Sequence, residues 1–170
     1  GTDEWFRELG RITDKETEVE ELLKSEKERI YPELEKLRKK LKGKRAYVTA
    51  GAAHGHSLIA LLEDLGLEVV GASIFHHDPC YDNRSESGKS LDHAVNTYGD
   101  IKNFSVCDKQ AYELVNSLNR LKPDIFIARH GGMSIWGAKL GIPTFLMGDE
   151  HFGLGYQGLI NYGNKVLDVL

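Results

Sequence analysis

The stretch KRAYVTAGAAHGHSLIALLEDLGLEVVGASIF, residues 44–75, decides the fold. Its two short apolar runs, residues 46–50 and 69–75, have the length of buried strands. Between them, residues 57–65 have the apolar pattern of a helix. A strand, a helix and a second strand in this order predict one βαβ unit of a parallel sheet.

The same alternation continues to the end of the chain. Three more apolar runs predict strands at residues 103–106, 124–128 and 143–147. Further helices are predicted at residues 85–98, 109–121, 134–140 and 158–170. Because crossovers between parallel strands are right-handed, helices should cover both faces of the sheet. We therefore predict an α/β fold, a Rossmann-like open parallel sheet of about five strands preceded by a long N-terminal helix.

Residues 14–42 carry the pattern of that N-terminal helix, with leucines, isoleucine and valine at steps of three, four and seven. Pro32 lies inside the pattern and is expected to kink the helix or to start a second one. We divide the chain into a helical connector, residues 1–43, and a Rossmann-like domain, residues 44–170. The helix packs either on its own domain or on parts of a longer chain.

Composition excludes several classes of protein. A net charge of −4 argues against a nucleic-acid-binding protein, whose surface would be basic. No apolar run approaches the ~20 residues that a membrane span needs, and the polar N-terminus does not resemble a signal peptide. The two cysteines, Cys80 and Cys107, are too few for a disulfide framework or a four-thiolate cluster, so a reduced, cytoplasmic setting is expected.

Histidines concentrate in the loops that follow the predicted strands at one edge of the sheet. The four loops are residues 51–56, 76–84, 129–133 and 148–155. Six of the seven histidines lie in them, namely His54, His56, His76, His77, His130 and His151. Since ligands of open parallel sheets bind outside the carboxyl ends of the strands, we predict a binding site at this edge.

Each loop also has a simpler interpretation. The glycines of loop 51–56 allow a ligand to approach the backbone or merely form a tight turn, and the His54-Gly55-His56 spacing suits chelation only from an extended segment. Loop 76–84 forms either a metal site or a hydrogen-bonded polar loop, and Arg129 is either a planar donor or a surface side chain. The G-x-G-x-x-G match at residues 153–158 does not follow the first strand, so it predicts a glycine-rich turn rather than a dinucleotide site.

Several short segments, in order and at similar spacing from about residue 34 to the end, resemble the C-terminal third of nitrogenase component 1 proteins. These proteins are the molybdenum–iron α-subunits and their cofactor-assembly relatives. The segments are KGKR with YV (residues 42–45 and 47–48), LEDLGLEVVG (62–71), Phe75, His77 and Tyr81-Asp82, LKPDI (121–125), LGIP (140–143) and GYQG (155–158).

This resemblance implies that the chain is part of a nitrogenase-like oxidoreductase subunit or cofactor-assembly scaffold and forms one wall of an iron–sulfur metallocluster site. It implies a complex molybdenum–iron type cluster in the parent protein, a homologous β-type partner subunit and a separate ATP-dependent iron protein. We expect the isolated chain to be inactive and to hold no cluster. The residues expected to contact the cofactor or line its approach are Gly51, His54, His56, His77, Arg129, His130 and His151.

The sequence also departs from the family. His54 stands where the resemblance implies a cofactor-contacting arginine, and Gly148 stands where it implies a histidine ligand, with His151 three residues further on as the substitute. The family's cysteine ligands lie upstream of the matched part. A cofactor-assembly scaffold, or a reductase of another substrate, therefore fits better than a subunit that reduces dinitrogen.

Two other hypotheses stay open. The chain can be a stand-alone Rossmann-like module that binds a small anion, a nucleotide or a single metal ion. It can also be a non-catalytic interaction domain that uses the charged helix at residues 14–42.

Overall fold

A computed structural model describes residues 1–75, 90–106, 111–148 and 153–170. The helices in these residues are α1 (Thr2–Thr13), α2 (Glu16–Leu41), α3 (Ala52–Asp64), α4 (Ser90–Tyr98), α5 (Ala111–Leu121), α6 (Gly131–Lys139) and α7 (Gly155–Val169). The strands are β1 (Arg45–Gly51), β2 (Glu68–Phe75), β3 (Phe104–Val106), β4 (Ile125–Ala128) and β5 (Thr144–Leu146).

The five strands form one sheet in the order β3-β2-β1-β4-β5, and every pairing is parallel. The chain moves outward from β1 to β2 and β3, and then continues on the other side of β1 with β4 and β5. The order therefore reverses between β1 and β4. The prediction of a Rossmann-like open parallel sheet is confirmed, and it contained all five strands.

Apolar side chains cover both faces of the sheet. On one face Val48 and Ala50 of β1 share a core with residues of α2, α3 and α7. On the other face Tyr47 of β1 and Phe126 of β4 pack with α5 and the inner side of α6. Each fully buried large apolar side chain contributes roughly 1.5–3 kcal/mol. The sheet is thus enclosed by helices on both sides, and its ligand-accessible parts are its edges.

Three helices begin earlier than the sequence predicted. Helix α3 begins at Ala52 instead of residue 57, α6 begins at Gly131 instead of 134, and α7 begins at Gly155 instead of 158. None of the three N-cap residues makes a side-chain capping hydrogen bond. Because the usual serine, threonine or acidic N-cap signal is missing, the sequence pattern could not mark these starts.

The N-terminal region differs from the prediction in two ways. Helix α2 continues through Pro32, and no second helix starts there, because Ile30 and Leu34 on either side are buried in the core. Helix α1 was not predicted; it packs back on α2, where a Cβ at Gly10 would come within 2.9 Å of Val19 Cγ2.

The domain division at residue 43 stays a prediction. Among the described helices, none combines the length and the apolar character that crossing a membrane requires.

Tyr162 of α7 carries a buried hydroxyl without a hydrogen-bond partner among the described residues. Its ring packs on Phe145, with ring centroids 5.5 Å apart. Burial raises the pKa of this hydroxyl above its ordinary value, because the protein interior disfavours the phenolate. The ring therefore stabilises the fold, whereas the hydroxyl adds a desolvation cost.

We expect Tyr162→Phe to keep or slightly raise the free energy of unfolding at pH 7, by up to about 1 kcal/mol. Above pH ~10 the unfolded tyrosine ionises while the folded one stays protonated, so the parent loses stability as pH rises and the variant is spared that loss. Urea unfolding at neutral and alkaline pH measures the difference. The exposed Tyr112→Phe is the matched control, and an equal gain in that control at alkaline pH would contradict the prediction.

Candidate functional site

The reversal of strand order places the ends of β1 and β4 side by side. Gly51 is both the last residue of β1 and the N-cap of α3. His130, two residues after β4, is the N-cap of α6. A Cβ at Gly51 would meet no other described atom within 4 Å. Among the described residues, none covers Gly51 at the carboxyl end of the sheet, where ligands of this class of fold bind.

Two helix N-termini begin at this opening. The N-cap residues Gly51 and His130 make no side-chain capping hydrogen bond to the first turns of α3 and α6. The helix dipoles add partial positive charge at the same place. This arrangement suits a negatively charged ligand, or one that accepts hydrogen bonds.

Two aromatic rings, one at the end of β2 and one after β4, contact each other across the end of β1. The rings of Phe75 and His130 lie with their centroids 6.2 Å apart in an edge-to-face arrangement. His130 is exposed. Since β1 lies between these two strands, His130 stands beside the opening at Gly51 with its ring oriented by Phe75.

Arg129 ties β4 to its two neighbours. Its backbone N–H donates to Thr49 O of β1 at 2.9 Å, and its Nη1 donates to Met147 O at 3.2 Å. The guanidinium thus reaches the segment that follows β5. The side chain is half-buried. This geometry makes Arg129 a brace between β4 and the loop that begins at Gly148.

The expectation that His54 and His56 chelate from an extended segment is wrong. Both residues lie in the first turns of α3, and residues two positions apart on a helix face different sides. His56 turns toward β3, where its ring centroid is 6.2 Å from that of Phe104. Ser57, where the predicted helix begins, lies inside α3.

The predicted loop residues His76, His77 and His151 lie outside the described residues, and so do the two cysteines, Cys80 and Cys107. Within the part of the chain that the structure describes, no group of three or more His, Cys, Asp and Glu side chains is placed to hold a metal ion. The described side of the site therefore offers hydrogen-bond donors and imidazoles rather than a set of metal ligands.

Gly55, one of the glycines for which the sequence suggested either ligand approach or a tight turn, is required by packing. A Cβ at this position would lie 2.3 Å from Cδ1 of Ile74, which is buried in β2. The glycine lets α3 lie close to the sheet. Because α3 carries His54 and starts at Gly51, this contact sets the position of one side of the opening.

We expect Gly55→Ala to lower the free energy of unfolding by about 1–2 kcal/mol, because overpacking costs more than the gain in helix propensity. In an Ile74→Val background, which lacks Cδ1, the same substitution should cost nothing or stabilise. Chemical denaturation of the four proteins in this double-mutant cycle measures the coupling. Equal costs of Gly55→Ala in both backgrounds would contradict the assigned contact.

Comparison with known proteins gives the chain a family match along its whole length. The model of the family described as nitrogenase component 1 type oxidoreductase matches residues 1–170. The nitrogenase molybdenum-iron protein alpha chain of Methanococcus maripaludis is 27% identical over 97% of this chain and 33% of its own length. The nitrogenase iron-molybdenum cofactor biosynthesis protein NifE of the same species is 28% identical over 87% of this chain and 29% of its own length.

A solved structure shares the fold. The structure titled "Nitrogenase Cp1 at pH 5" superposes with a TM-score of 0.74 over 98% of this chain and 39% of that chain, at 17% identity. At that identity the likeness concerns the fold alone. The chain spans about a third of the length of the curated relatives it matches.

Proposed function

The chain belongs to the nitrogenase component 1 type oxidoreductase family, and we propose that it forms one wall of an iron–sulfur metallocluster site in a larger subunit of that kind. The observation that supports the proposal most is the meeting of two helix N-termini near Gly51, where neither N-cap residue of α3 and α6 makes a side-chain capping hydrogen bond. The sulfides of such a cluster accept hydrogen bonds, and those bonds tune its reduction potential.

The described residues suit a cluster by donating hydrogen bonds to it. The described residues include no group that could bind a metal ion by itself, so the metal ligands would come from elsewhere. We propose that Gly51, His54 and His130 face the cluster, with Arg129 bracing the approach. When bound, the cluster would supply the electrons for reduction or be the object of assembly.

We propose a supporting role for the remaining predicted residues as well. His77 and His151 follow β2 and β5 in the sequence. His56 would act indirectly, because its ring lies against Phe104. The parent protein would work with a homologous β-type subunit and an ATP-dependent iron protein in the cytoplasm, without nucleic acid, and the isolated chain would be catalytically silent.

Exposed apolar side chains at the same edge support the presence of a covering surface. Val106 and Leu146 end β3 and β5, Ile135 lies in the second turn of α6, and Leu154 caps α7; all four are exposed. Val106 and Leu146 lie on the two outermost strands, so these groups are spread along the carboxyl end of the sheet. A larger subunit would bury them and exclude water from the cluster.

A chimera tests the proposal. Residues 1–170 would replace the matched third of the Methanococcus maripaludis alpha chain, expressed in that organism in place of the native protein. We expect the purified chimera to contain iron and to show the visible absorption of an iron–sulfur cluster. We also expect His54→Ala with His130→Ala to lower the iron content severalfold while leaving the circular dichroism unchanged.

His93→Ala is the matched control, since His93 is exposed on α4 and lies outside the four loops. The proposal fails if a folded chimera carries no iron, or if the double variant and the His93 control retain iron equally. Reduction of substrate by the isolated chain with a chemical donor alone would also contradict it.

A second candidate is a stand-alone module that binds a small anion, a nucleotide or one metal ion. The helix N-termini at Gly51 and His130 favour an anion equally well. Calorimetric titration of the isolated chain with phosphate, ATP, Zn²⁺ and Fe²⁺ separates the two candidates. Saturable binding that is weakened by His130→Ala would support the stand-alone module. The absence of measurable heat with all four ligands would exclude this candidate.

A further inference from the structure

Helix α1 is weakly anchored to the rest of the chain. Gly10 is its single buried residue, and Phe6 is half-buried. The other large apolar side chains, Trp5, Leu9 and Ile12, are exposed. Since an isolated helix of 12 residues is marginal in water, α1 depends on its contacts with other elements. Few apolar groups make these contacts, so polar bonds must contribute much of the attachment.

The contact of α1 with α2 is separate from the two cores that enclose the sheet. A Cβ at Gly10 would lie 2.9 Å from Val19 Cγ2. Val19 and Leu23 are buried four positions apart on one face of α2, and they belong to neither core. The residues that α2 contributes to the core begin at Ile30. Detachment of α1 would therefore uncover Val19 and Leu23 and leave both cores packed.

One residue of α1 bonds to the first turn of α7. Asp3 Oδ1 accepts a hydrogen bond from the Tyr156 hydroxyl at 2.5 Å, and Oδ2 pairs with the ammonium group of Lys27 on α2. Asp3 and Tyr156 are both half-buried. Among the described residues, this is the sole hydrogen bond or ion pair between α1 and residues 44–170. Asp3 thus ties α1 to two different helices.

The exposure of the polar pairs decides which of them holds α1 in place. Arg7 Nε donates to Glu20 Oε1 at 2.6 Å, but the two side chains are 50% and 56% exposed, so water competes for both. The Asp3 side chain is 30% exposed and accepts from two donors. A partly buried hydrogen bond to a charged group contributes more than an exposed ion pair. The bond between Asp3 and Tyr156 is therefore the main polar attachment of α1 to the domain.

We propose that α1 is a strap that opens and closes as a unit, with Asp3 as its latch. When closed, the strap covers Val19 and Leu23 and holds the first turn of α7 through Tyr156. When open, it unfolds at the two-residue turn that joins α1 to α2, while the sheet and both cores stay folded. The opening is a local unfolding whose free energy lies below that of the whole domain.

Hydrogen exchange of the 170-residue chain, measured for each amide by NMR at increasing urea concentration, tests the strap. We expect the amides of residues 6–13 to share one opening free energy, smaller than that of the strands. It should fall as urea is added, because opening exposes Val19 and Leu23. Simple fraying would instead give protection that rises along α1 and does not respond to urea. Such fraying, or exchange of residues 6–13 only by global unfolding, would overturn the proposal.

Two variants, one on each side of the latch, should each affect the helix that carries the other residue. Tyr156→Phe removes one hydroxyl of α7 and should speed exchange of residues 6–13 about tenfold, because their opening no longer breaks that bond. Asp3→Ala should in turn speed exchange at the first turn of α7 severalfold, since the same bond is lost. Circular dichroism checks that both variants keep the fold.

Glu8→Ala and Tyr31→Phe are the matched controls. Glu8 pairs with Arg11 inside α1, so Glu8→Ala should leave exchange at the first turn of α7 unchanged. Tyr31 is 58% exposed on α2, so Tyr31→Phe should leave exchange of residues 6–13 unchanged. Unchanged exchange of α1 in Tyr156→Phe, or equal acceleration by Tyr31→Phe, would show that Asp3 is not the latch and would refute the strap.

Discussion

Phe126→Ala is expected to lower the free energy of unfolding by about 3–5 kcal/mol. Phe126 is fully buried in β4, and its ring packs against Tyr47 with centroids 6.1 Å apart. Removing the ring leaves a cavity between the sheet and the helices α5 and α6, which strands on both sides of β4 keep from collapsing. Since domains have only about 5–15 kcal/mol of stability, the variant should be close to unfolding at 37 °C.

The contact between Phe126 and Gly137 gives this prediction a sharper form. A Cβ at Gly137 would lie 2.4 Å from Phe126 Cδ1 and 2.3 Å from Thr144 Oγ1. Gly137→Ala should therefore cost less in the Phe126→Ala background than in the parent, because only the threonine contact remains. Thermal and urea unfolding of the set measure both effects. The exposed Tyr112→Ala should stay within about 0.5 kcal/mol of the parent, and a comparable loss there would show that aromatic content rather than packing is being measured.

The strands could be predicted because their signal is local. Each buried strand of a doubly covered parallel sheet is a short apolar run. The run at residues 46–50 differs from β1 by one residue at each end, and the run at 124–128 differs from β4 by one residue at its start. The order of strands then follows from crossover rules, which limit the topologies of such a chain to a few. The sequence therefore predicted the fold class without any knowledge of side-chain contacts.

Helix starts depended on contacts that a sequence pattern does not contain. Helix α3 begins at Ala52, directly after β1, and its first turns lie close to the sheet because Gly55 fits against Ile74, a contact between two elements. Helix α1 lacks a side-chain cap and depends on its packing against α2, although its apolar residues at steps of three and four could have indicated it. Helix α2 continues through Pro32, which was expected to kink or end it, because neighbouring residues of α2 are buried. Tertiary packing decided all three cases.

The candidate site stays a prediction, although the structure places two of its residues where the sequence predicted them. Strand polarity alone placed the loops after β1 and β4 at one edge, and Gly51 and His130 do adjoin the same opening. The His54 and His56 pair was misinterpreted because chelation requires a backbone conformation, which the residue types do not specify. Likewise, the hydrogen bond from Arg129 to Met147 O joins residues 18 apart and has no sequence signature.

The turn before α7 shows why a glycine motif needs its structural context. Residues 153–158 match the dinucleotide pattern, yet a Cβ at Gly158 would lie 2.2 Å from the carbonyl carbon of Gly153. Here backbone meets backbone, so no flexible side chain can move aside. Gly155, by contrast, has open space around it but a positive φ of 67°. Gly158 is thus required because the backbone of Gly153 approaches it closely, and Gly155 is required because of its positive φ.

Gly158→Ala is therefore expected to lower the free energy of unfolding by about 3 kcal/mol or more, since the turn must separate from α7. Gly155→Ala should cost about 1–2 kcal/mol, the usual cost of a left-handed conformation. Urea unfolding measures the loss of free energy of unfolding in each of the two variants. A phosphate-binding role for the glycines predicts a different result, in which both variants fold normally and lose only nucleotide affinity. Equal stability of Gly158→Ala and the parent would thus refute the packing role, and a larger loss at Gly158 than at Gly155 would confirm that backbone contact rather than ligand approach selects this glycine.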